Sequence, residues 1–421
     1  MSEFVKNVSQ SHRYHETLAV KRVSRSVGLQ EVYDIIRKES PISRVRLADM
    51  VSVSRAALSG IVAEFIQEGI LEEIGKEEAA EGRPPTLLSF CPASRLAVGV
   101  VQFDNELRVT VVDLLGNPIK TTAIPFYPYT TEMMIDAIAE QVNAILTSFD
   151  RLHVLGVGVG VPGVVDLRTG IFEKSVSKAW LKSGIPIRDI LQERLGMPVY
   201  VINRSRVAAL GEHRVGIGKG TNNLIYFFLG EGVVAGIITD GELFLGAHGA
   251  AGEIGHTSIE DDGPICNCGN RGCLEMYTSK PAILSLARAQ AREHPDSLLY
   301  QMVSGRLDLL DIDQFIRAAR EGDATALSII NDIGTKIGYA VSMLIVLYDP
   351  EVIILGGPFG SQAGDLLLEP IIREAQRRSP SRSFTQIKIL TGALGTEAAT
   401  IGAGVLAISM TPIESILSLR A

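Results

Sequence analysis

Three of the four cysteines in this chain, Cys266, Cys268 and Cys273, stand close together, and His256 precedes them. The pattern is His-x9-Cys-x-Cys-x4-Cys. Three thiolates and one imidazole form the donor set of a closed, tetrahedral zinc site. A closed site leaves no position for water, so a metal here is expected to be structural and not a Lewis acid in a reaction. Gly269 and Gly272 allow the chain to turn tightly between the ligands. Clustered cysteines in a reducing compartment point to metal rather than to disulfides. Cys91 stands apart and has the character of a small core residue.

These ligands need a frame. A chain of 421 residues exceeds one ordinary core and implies two or three domains. Its 46% apolar content and 41 glycines suit an α/β fold with many tight turns. The net charge of −8 argues against a protein that coats nucleic acid indiscriminately, while leaving room for a small DNA-reading module. The N-terminus lacks the apolar run of a signal peptide. The longest uncharged stretch, Ala398 to Ile413, is shorter than the roughly 20 residues of a membrane span. The expectation is a soluble, cytoplasmic protein with no membrane partner.

From about Ser94 onward, strands alternate with helices, the pattern of an α/β protein. "RLAVGVVQFDNELRVTVVDLLGN" and "NLIYFFLGEGVVAGIITDGELFLG" read as hairpins, and "HVLGVGVGVPGVVD" and "PEVIILGGPFG" as buried strands. "PVYVINRSRVAALGEHRVG" reads as a strand followed by a helix. Two hairpins, each followed by α/β units, predict two similar halves.

The N-terminal part differs. Residues 1–28 form a basic arm, with Lys6, Arg13, Lys21, Arg22 and Arg25 set against Glu3 and Glu16, suited to phosphate contact or to a frayed end. Residues 29–90 carry three short helical patterns. Val32, Ile35 and Ile36 mark the first, Ser43 caps the second, and Leu58, Ile61, Val62, Phe65 and Ile66 share one face of the third, which ends at Gly69. "ILEEIGK" and "RPPTLLSF" then predict a hairpin, and the acidic insert between them is expected to act as a hinge. Helix, helix, tight turn, helix and hairpin is the order of a winged helix-turn-helix (α+β), whose last helix enters the major groove of DNA. Ser54, Arg55 and Ser59 begin the outward face of that helix and are the candidates for base and phosphate contact. Arg44 is placed to meet the backbone, and Arg83 to enter the minor groove. Ser52 occupies the turn where glycine is more usual.

"GEIGH" followed by "CNCGNRGCLE", together with "GVGVPGVVD", "ALGEH", "GAHGAAGEIGH" and "EVIILGG", closely resembles the ROK family of repressors and sugar kinases. "SRVRLADMVSVSRAALSGIVAEFIQEG" and "GRPPTLL" resemble its repressor branch. The resemblance spans nearly everything from residue 29 to the end. It implies an actin-like, ribonuclease-H-like body with two α/β halves, residues 94–219 plus 396–421 and residues 220–395, with a zinc knuckle at 256–273 in the second half. It also implies a sugar in the cleft between the halves, contacted by Asn203, Glu253, His256 and Glu275. The chemistry is coherent: carboxylates accept pairs of hydroxyl hydrogen bonds, and a histidine with one nitrogen on zinc presents its other N–H in a fixed direction.

The family's kinases carry phosphate-handling motifs that this chain has changed. Where the kinase pattern begins with aspartate and runs into glycines, the chain has Val101, then Phe103, Asp104 and Asn105. Glu231 interrupts the second segment, Gly230-Glu231-Gly232. Arg204 stands where the general-base aspartate is expected, and an arginine has donors only. The resemblance therefore implies a non-enzymatic, sugar-responsive regulator of carbohydrate metabolism that represses transcription as a homodimer or higher homo-oligomer on operator DNA. The alternative is a sugar kinase with an N-terminal DNA-binding-like domain. Arg204 and Arg206 either bind an anionic effector, a sugar phosphate or sugar acid in place of a neutral sugar, or pair with carboxylates such as Glu212. Trp180 is expected to line the cleft.

Overall fold

A computed structural model describes residues 24–76, 86–103, 105–166, 169–174, 180–380 and 384–418. The chain begins with helix α1 (Ser24–Glu39), strand β1 (Ile42–Ser43), α2 (Arg44–Met50), α3 (Arg55–Gln67) and the strands β2 (Leu71–Lys76) and β3 (Thr86–Phe90). β3 pairs antiparallel with both β1 and β2. Ser43 and Ser54 cap the second and third helices, their hydroxyls accepting from the N–H groups of Arg46 and Ala57. α3 buries Leu58, Val62 and Phe65, with Ile61 and Ile66 packed partly against the same core, and Gly69 follows with φ +70°. The turn before α3 is held by a carboxylate: Glu31 of α1 accepts from both the N–H and the hydroxyl of Ser52, at 2.9 and 2.6 Å. That contact accounts for serine where a glycine was expected.

The arm reaches less far than expected. Residues 24–28 belong to α1, because the buried stripe starting at Leu29 needs a preceding turn to supply its backbone hydrogen bonds. Residues 1–23 and the acidic insert lie outside the described residues, as does Arg83.

The body holds two five-stranded sheets of one pattern. The first contains β4 (Leu96–Gln102), β5 (Glu106–Asp113), β6 (Pro118–Pro125), β7 (Val154–Val161) and β10 (Val199–Asn203), in the order β10-β7-β4-β5-β6. Helices α4 (Thr131–Leu146) and α5 (Ile187–Leu195) and the small hairpin β8 (Val164–Asp166) and β9 (Ile171–Lys174) fall within it. After α6 (Arg204–Arg214) comes the second sheet, with β11 (Leu224–Leu229), β12 (Val233–Thr239), β13 (Glu242–Phe244), β14 (Val352–Gly356) and β15 (Lys388–Thr391), in the order β13-β12-β11-β14-β15. In each sheet an antiparallel meander runs to one side of the first strand, and two parallel strands are added on the other. The helices of the second half are α7 (Glu275–Thr278), α8 (Lys280–Glu293), α9 (Leu298–Gln301), α10 (Ile312–Arg320), α11 (Ala324–Tyr348) and α12 (Gly357–Arg378). The chain closes with α13 (Glu397–Met410) and α14 (Ile413–Leu417).

Both first strands are buried on both faces, so their side chains divide by parity. Val98 and Val100 enter an outer core with α4 and α5, whereas Ala97 and Val101 face the space between the sheets. Ile225 and Phe227 enter the other outer core with α11 and α12, and Tyr226 and Phe228 face inward. α6 and α13 fill the middle: α13 packs on β4 and β7, α6 on β12 and β11, and the two helices pack on each other. They cross so closely that a Cβ on Gly402 would stand 1.6 Å from the carbonyl oxygen of Val207. Among the described residues one helix, Ala324–Tyr348, is long and apolar enough to cross a membrane, but 61% of its most apolar window is buried within the second outer core.

The N-terminal unit is fastened to the body. Its core runs continuously into Ile413, Ile416 and Leu417 of α14. Arg95, at the threshold of β4 and 3% exposed, donates from Nε to Ile416 O (2.9 Å) and from Nη1 to Glu68 O (3.2 Å), and Nη2 lies 3.3 Å from the Glu68 carboxylate. Glu68 is the C-cap of α3, so one guanidinium ties the end of that helix to the first sheet and to the C-terminal helix.

Candidate functional site

His256, Cys266, Cys268 and Cys273 converge, with their ligand atoms all within 4.8 Å of one another. Cys266 Sγ lies 3.6 Å from His256 Nδ1, and Cys268 Sγ lies 3.7 Å from Cys273 Sγ. Around one zinc ion, metal–sulfur and metal–nitrogen lengths of about 2.3 and 2.0 Å require about 3.8 Å between sulfurs and about 3.5 Å between sulfur and nitrogen. The donor set fits a tetrahedral cation. Gly269 and Gly272 take φ of +95° and +63°, the left-handed turns expected of a knuckle. Burial raises the Cys266 thiol and pushes that of Cys273 up to about 12, whereas the Asn270 N–H lowers that of Cys268; a divalent cation would favour the thiolate at all three.

The knuckle is joined to the cleft by the segment 246–256. Gly252 sits at φ +83° with its would-be Cβ 1.9 Å from Ala235 O, so only glycine lets the chain lie this close against β12. The next residue, Glu253, is thereby set beside the cleft. With Nδ1 turned toward the sulfurs, His256 has Nε2 left for another partner. Glu275 begins α7, and its Oε2 accepts from Val233 N at 3.0 Å. Burial holds the Glu275 carboxyl above the usual range, the Val233 N–H and His256 oppose the rise, and Glu253 adds to it. Two carboxylates and an imidazole thus share one neighbourhood.

The opposite wall is the start of α6. Asn203 is its N-cap: Oδ1 accepts from Ser205 N (2.8 Å), and Nδ2 donates to Gly163 O (3.0 Å). Arg204, 5% exposed, donates from Nη1 to Gln102 O at 2.9 Å, with its guanidinium carbon 5.9 Å from the Phe103 ring. Arg204 is thereby fastened to the turn that follows β4. Glu231 lies 3.7 Å from Lys280 Nζ. A partly exposed pair of this kind is worth about 1 kcal/mol or less, so it softens the charge of Glu231 without removing it.

Of the two readings for Arg206, the structure shows the carboxylate pairing, but with Glu253 and not Glu212, at 2.7 Å from Nη2. Glu212 is occupied elsewhere, accepting from the N–H groups of Ile217 (3.0 Å) and Leu394 (2.9 Å). Trp180 packs, half-buried, against the outer core of the first sheet with α4 and α5.

In the N-terminal unit, Ser54, Arg55 and Ser59 are exposed on one face of α3. The Ser59 hydroxyl donates to Arg55 O, and Ser54 also caps its helix. Arg44 pairs with Glu73 of β2 at 2.9 Å. The sequence reading missed the contacts of Arg95 and those of Arg206 with the segment 249–253. The only signal for Arg95 was a charge at the head of an otherwise uncharged strand, and for Arg206 a second arginine three residues beyond the helix cap.

A family model described as ROK family matches residues 104–410. A xylose repressor from Caldicellulosiruptor bescii is 29% identical over 402 residues, covering 93% of this chain and 96% of its own length. A glucokinase from Halalkalibacterium halodurans is 36% identical over 316 residues, covering 74% of this chain and 94% of its own. A solved ROK family transcriptional regulator, described as a homolog of the E. coli MLC protein, superposes with a TM-score of 0.81 at 24% identity over 93% of this chain and 98% of its own, which shows a shared fold.

Proposed function

The chain belongs to the ROK family, and from that premise we propose that it is a sugar-responsive transcriptional repressor whose cleft binds a sugar without phosphorylating it. The observation that carries this reading is the contact of Arg204 with Gln102 and Phe103: one side chain takes the general-base position and braces the turn that would approach phosphate. The full-length likeness to a xylose repressor supports it, whereas the glucokinase likeness leaves out the N-terminal unit.

Glu253, His256, Glu275 and Asn203 are the groups for sugar hydroxyls, with Arg204 as a wall of the site. His256, Cys266, Cys268 and Cys273 would hold a structural zinc, which supplies charge to keep the thiolates together and fixes the histidine tautomer. His256 Nε2–H then donates toward the cleft.

Residues 29–90 act as a winged helix-turn-helix, with Ser54, Arg55 and Ser59 entering the major groove and Arg44 and Arg83 near the backbone and the minor groove. A homodimer in the cytoplasm would set two such helices about 34 Å apart, one helical turn of a pseudo-palindromic operator. Sugar alters DNA binding only if it binds two arrangements of the halves with different affinity. The Arg95 joint gives a path from the first sheet to the end of α3. A mobility shift with DNA from upstream of the protein's own coding region, with and without D-xylose or D-glucose, tests this. A complex at low salt that either sugar changes is expected; no complex at low salt overturns the reading.

A further inference from the structure

Among the described residues Arg206 is the largest side chain to be fully buried, at 2% exposure, and it is cationic. A buried guanidinium is tolerated only when its donors are matched. All three nitrogens of Arg206 go to one segment: Nε donates to Ala251 O at 3.2 Å, Nη1 to Gly249 O, and Nη2 to Glu253 Oε1 at 2.7 Å. The arginine stands in the first turn of α6, which follows the last strand of the first sheet. The segment it holds lies between β13 of the second sheet and the metal cluster. α6 packs on β11 and β12 and Gly252 lies against β12, so the contact ties the start of α6 to this segment over the second sheet.

The consequence falls on Glu253. Its Oε1 is taken by Arg206, and among the described residues nothing donates to its Oε2. The plane of the carboxylate is fixed by a charge-assisted bond, and one oxygen is left to accept. Without the arginine, a half-exposed glutamate on a glycine-rich segment would sample several rotamers, and a ligand would have to order it on binding.

We propose that Arg206 is a positioning residue of the effector site: it presents Glu253 in a single orientation to sugar hydroxyls and ties that orientation to the start of α6. This rests on the sugar-binding reading above. Arg206 touches no ligand itself; it acts through Glu253 and the carbonyls of residues 249 and 251.

The test compares wild type, Arg206→Lys, Glu253→Gln and the double variant, each checked for metal content and near-ultraviolet circular dichroism. Amide hydrogen exchange of the peptide 245–257 is read without sugar, and affinity is read by calorimetry with D-xylose and D-glucose. Lysine keeps the charge and loses the fork, so exchange of that peptide is expected to rise about tenfold while exchange in α13 stays unchanged. Affinity for the bound sugar is expected to fall about tenfold in either single variant, and the double variant should be little worse, because both remove one arrangement. Unchanged exchange in Arg206→Lys overturns the proposal whatever the sugar does. Multiplying losses in the double variant overturn it as well, since the residues would then act independently. Should Arg206→Lys fail to fold, faster exchange of 245–257 in Glu253→Gln supports the same contact, and unchanged exchange overturns it. If the wild type binds neither sugar while Arg206→Lys still loosens the peptide, the contact stands and the sugar reading fails.

Discussion

On one wall of the proposed cleft, polar groups are placed by backbone and by a cluster of candidate metal ligands; on the other, Phe103 and Arg204 occupy the end of β4, the room that the proposed reading denies to a phosphate. Glu253, His256 and Glu275 are set by a glycine pressed on β12, by sulfurs around Nδ1 and by the N–H of Val233. Across from them, Phe103 and Arg204 close on each other at the end of β4. The two walls differ in how easily a function is lost. Binding hydroxyls needs a few side-chain acceptors, and these survive many changes around them. Binding phosphate needs backbone N–H groups at close range, and one bulky side chain in the turn removes that approach.

The hardest blow to the first wall would be loss of the proposed metal. Chelation, or Cys266→Ser, should unfold the knuckle, lower Tm and abolish any sugar response, because binding energies of about 10–16 kcal/mol hold comparable small zinc sites together. Metal analysis and a thermal melt check this, and purified protein with less than one metal per chain and full sugar affinity would break the account. Next in size, Glu275→Gln should weaken sugar binding about tenfold or more in calorimetry and leave sugar-free DNA binding unchanged, since only the first wall is altered.

Arg55→Ala sharpens the contrast from outside the cleft. DNA affinity in a mobility shift should drop about tenfold with a shallower salt dependence, and sugar affinity should not move. The smallest effect is expected far from both walls, at Glu374 of α12. Hydrogen bonding to Arg377, then Arg378, holds its carboxyl down from 4.5 to about 2. Its folded value lies below its unfolded one, so the stability it contributes is present above about pH 4.5 and is lost as pH falls toward about 2. Glu374→Gln should lower Tm modestly at pH 7, and the gap to wild type should close across that acid range, with sugar affinity unchanged throughout.

Much of this was legible in the sequence. The four candidate metal ligands lie close in the chain, and their side chains converge. The strands of both sheets announce themselves as apolar runs such as "LIYFFL" and "VIILG", and the helix caps at Ser43 and Ser54 lie next to the elements they start. What escaped were pairings between distant residues. Nothing local to Arg206 names Glu253, 47 positions on, as its partner. Nothing local to Ser52 names Glu31, and the role of Arg95 needs the C-terminal helix brought back from 321 positions away. The start of α1 at Ser24 lies ahead of Leu29, where its run of buried apolar side chains begins.

The contrast between the walls comes to one measurement: ADP release by the wild-type protein with Mg-ATP and D-glucose or D-xylose, at a sugar concentration at which calorimetry shows the cleft occupied. The account predicts sugar binding with no ADP above the protein-free blank. Sugar-dependent ADP release would contradict it, since the wall formed by Phe103 and Arg204 would then still handle phosphate.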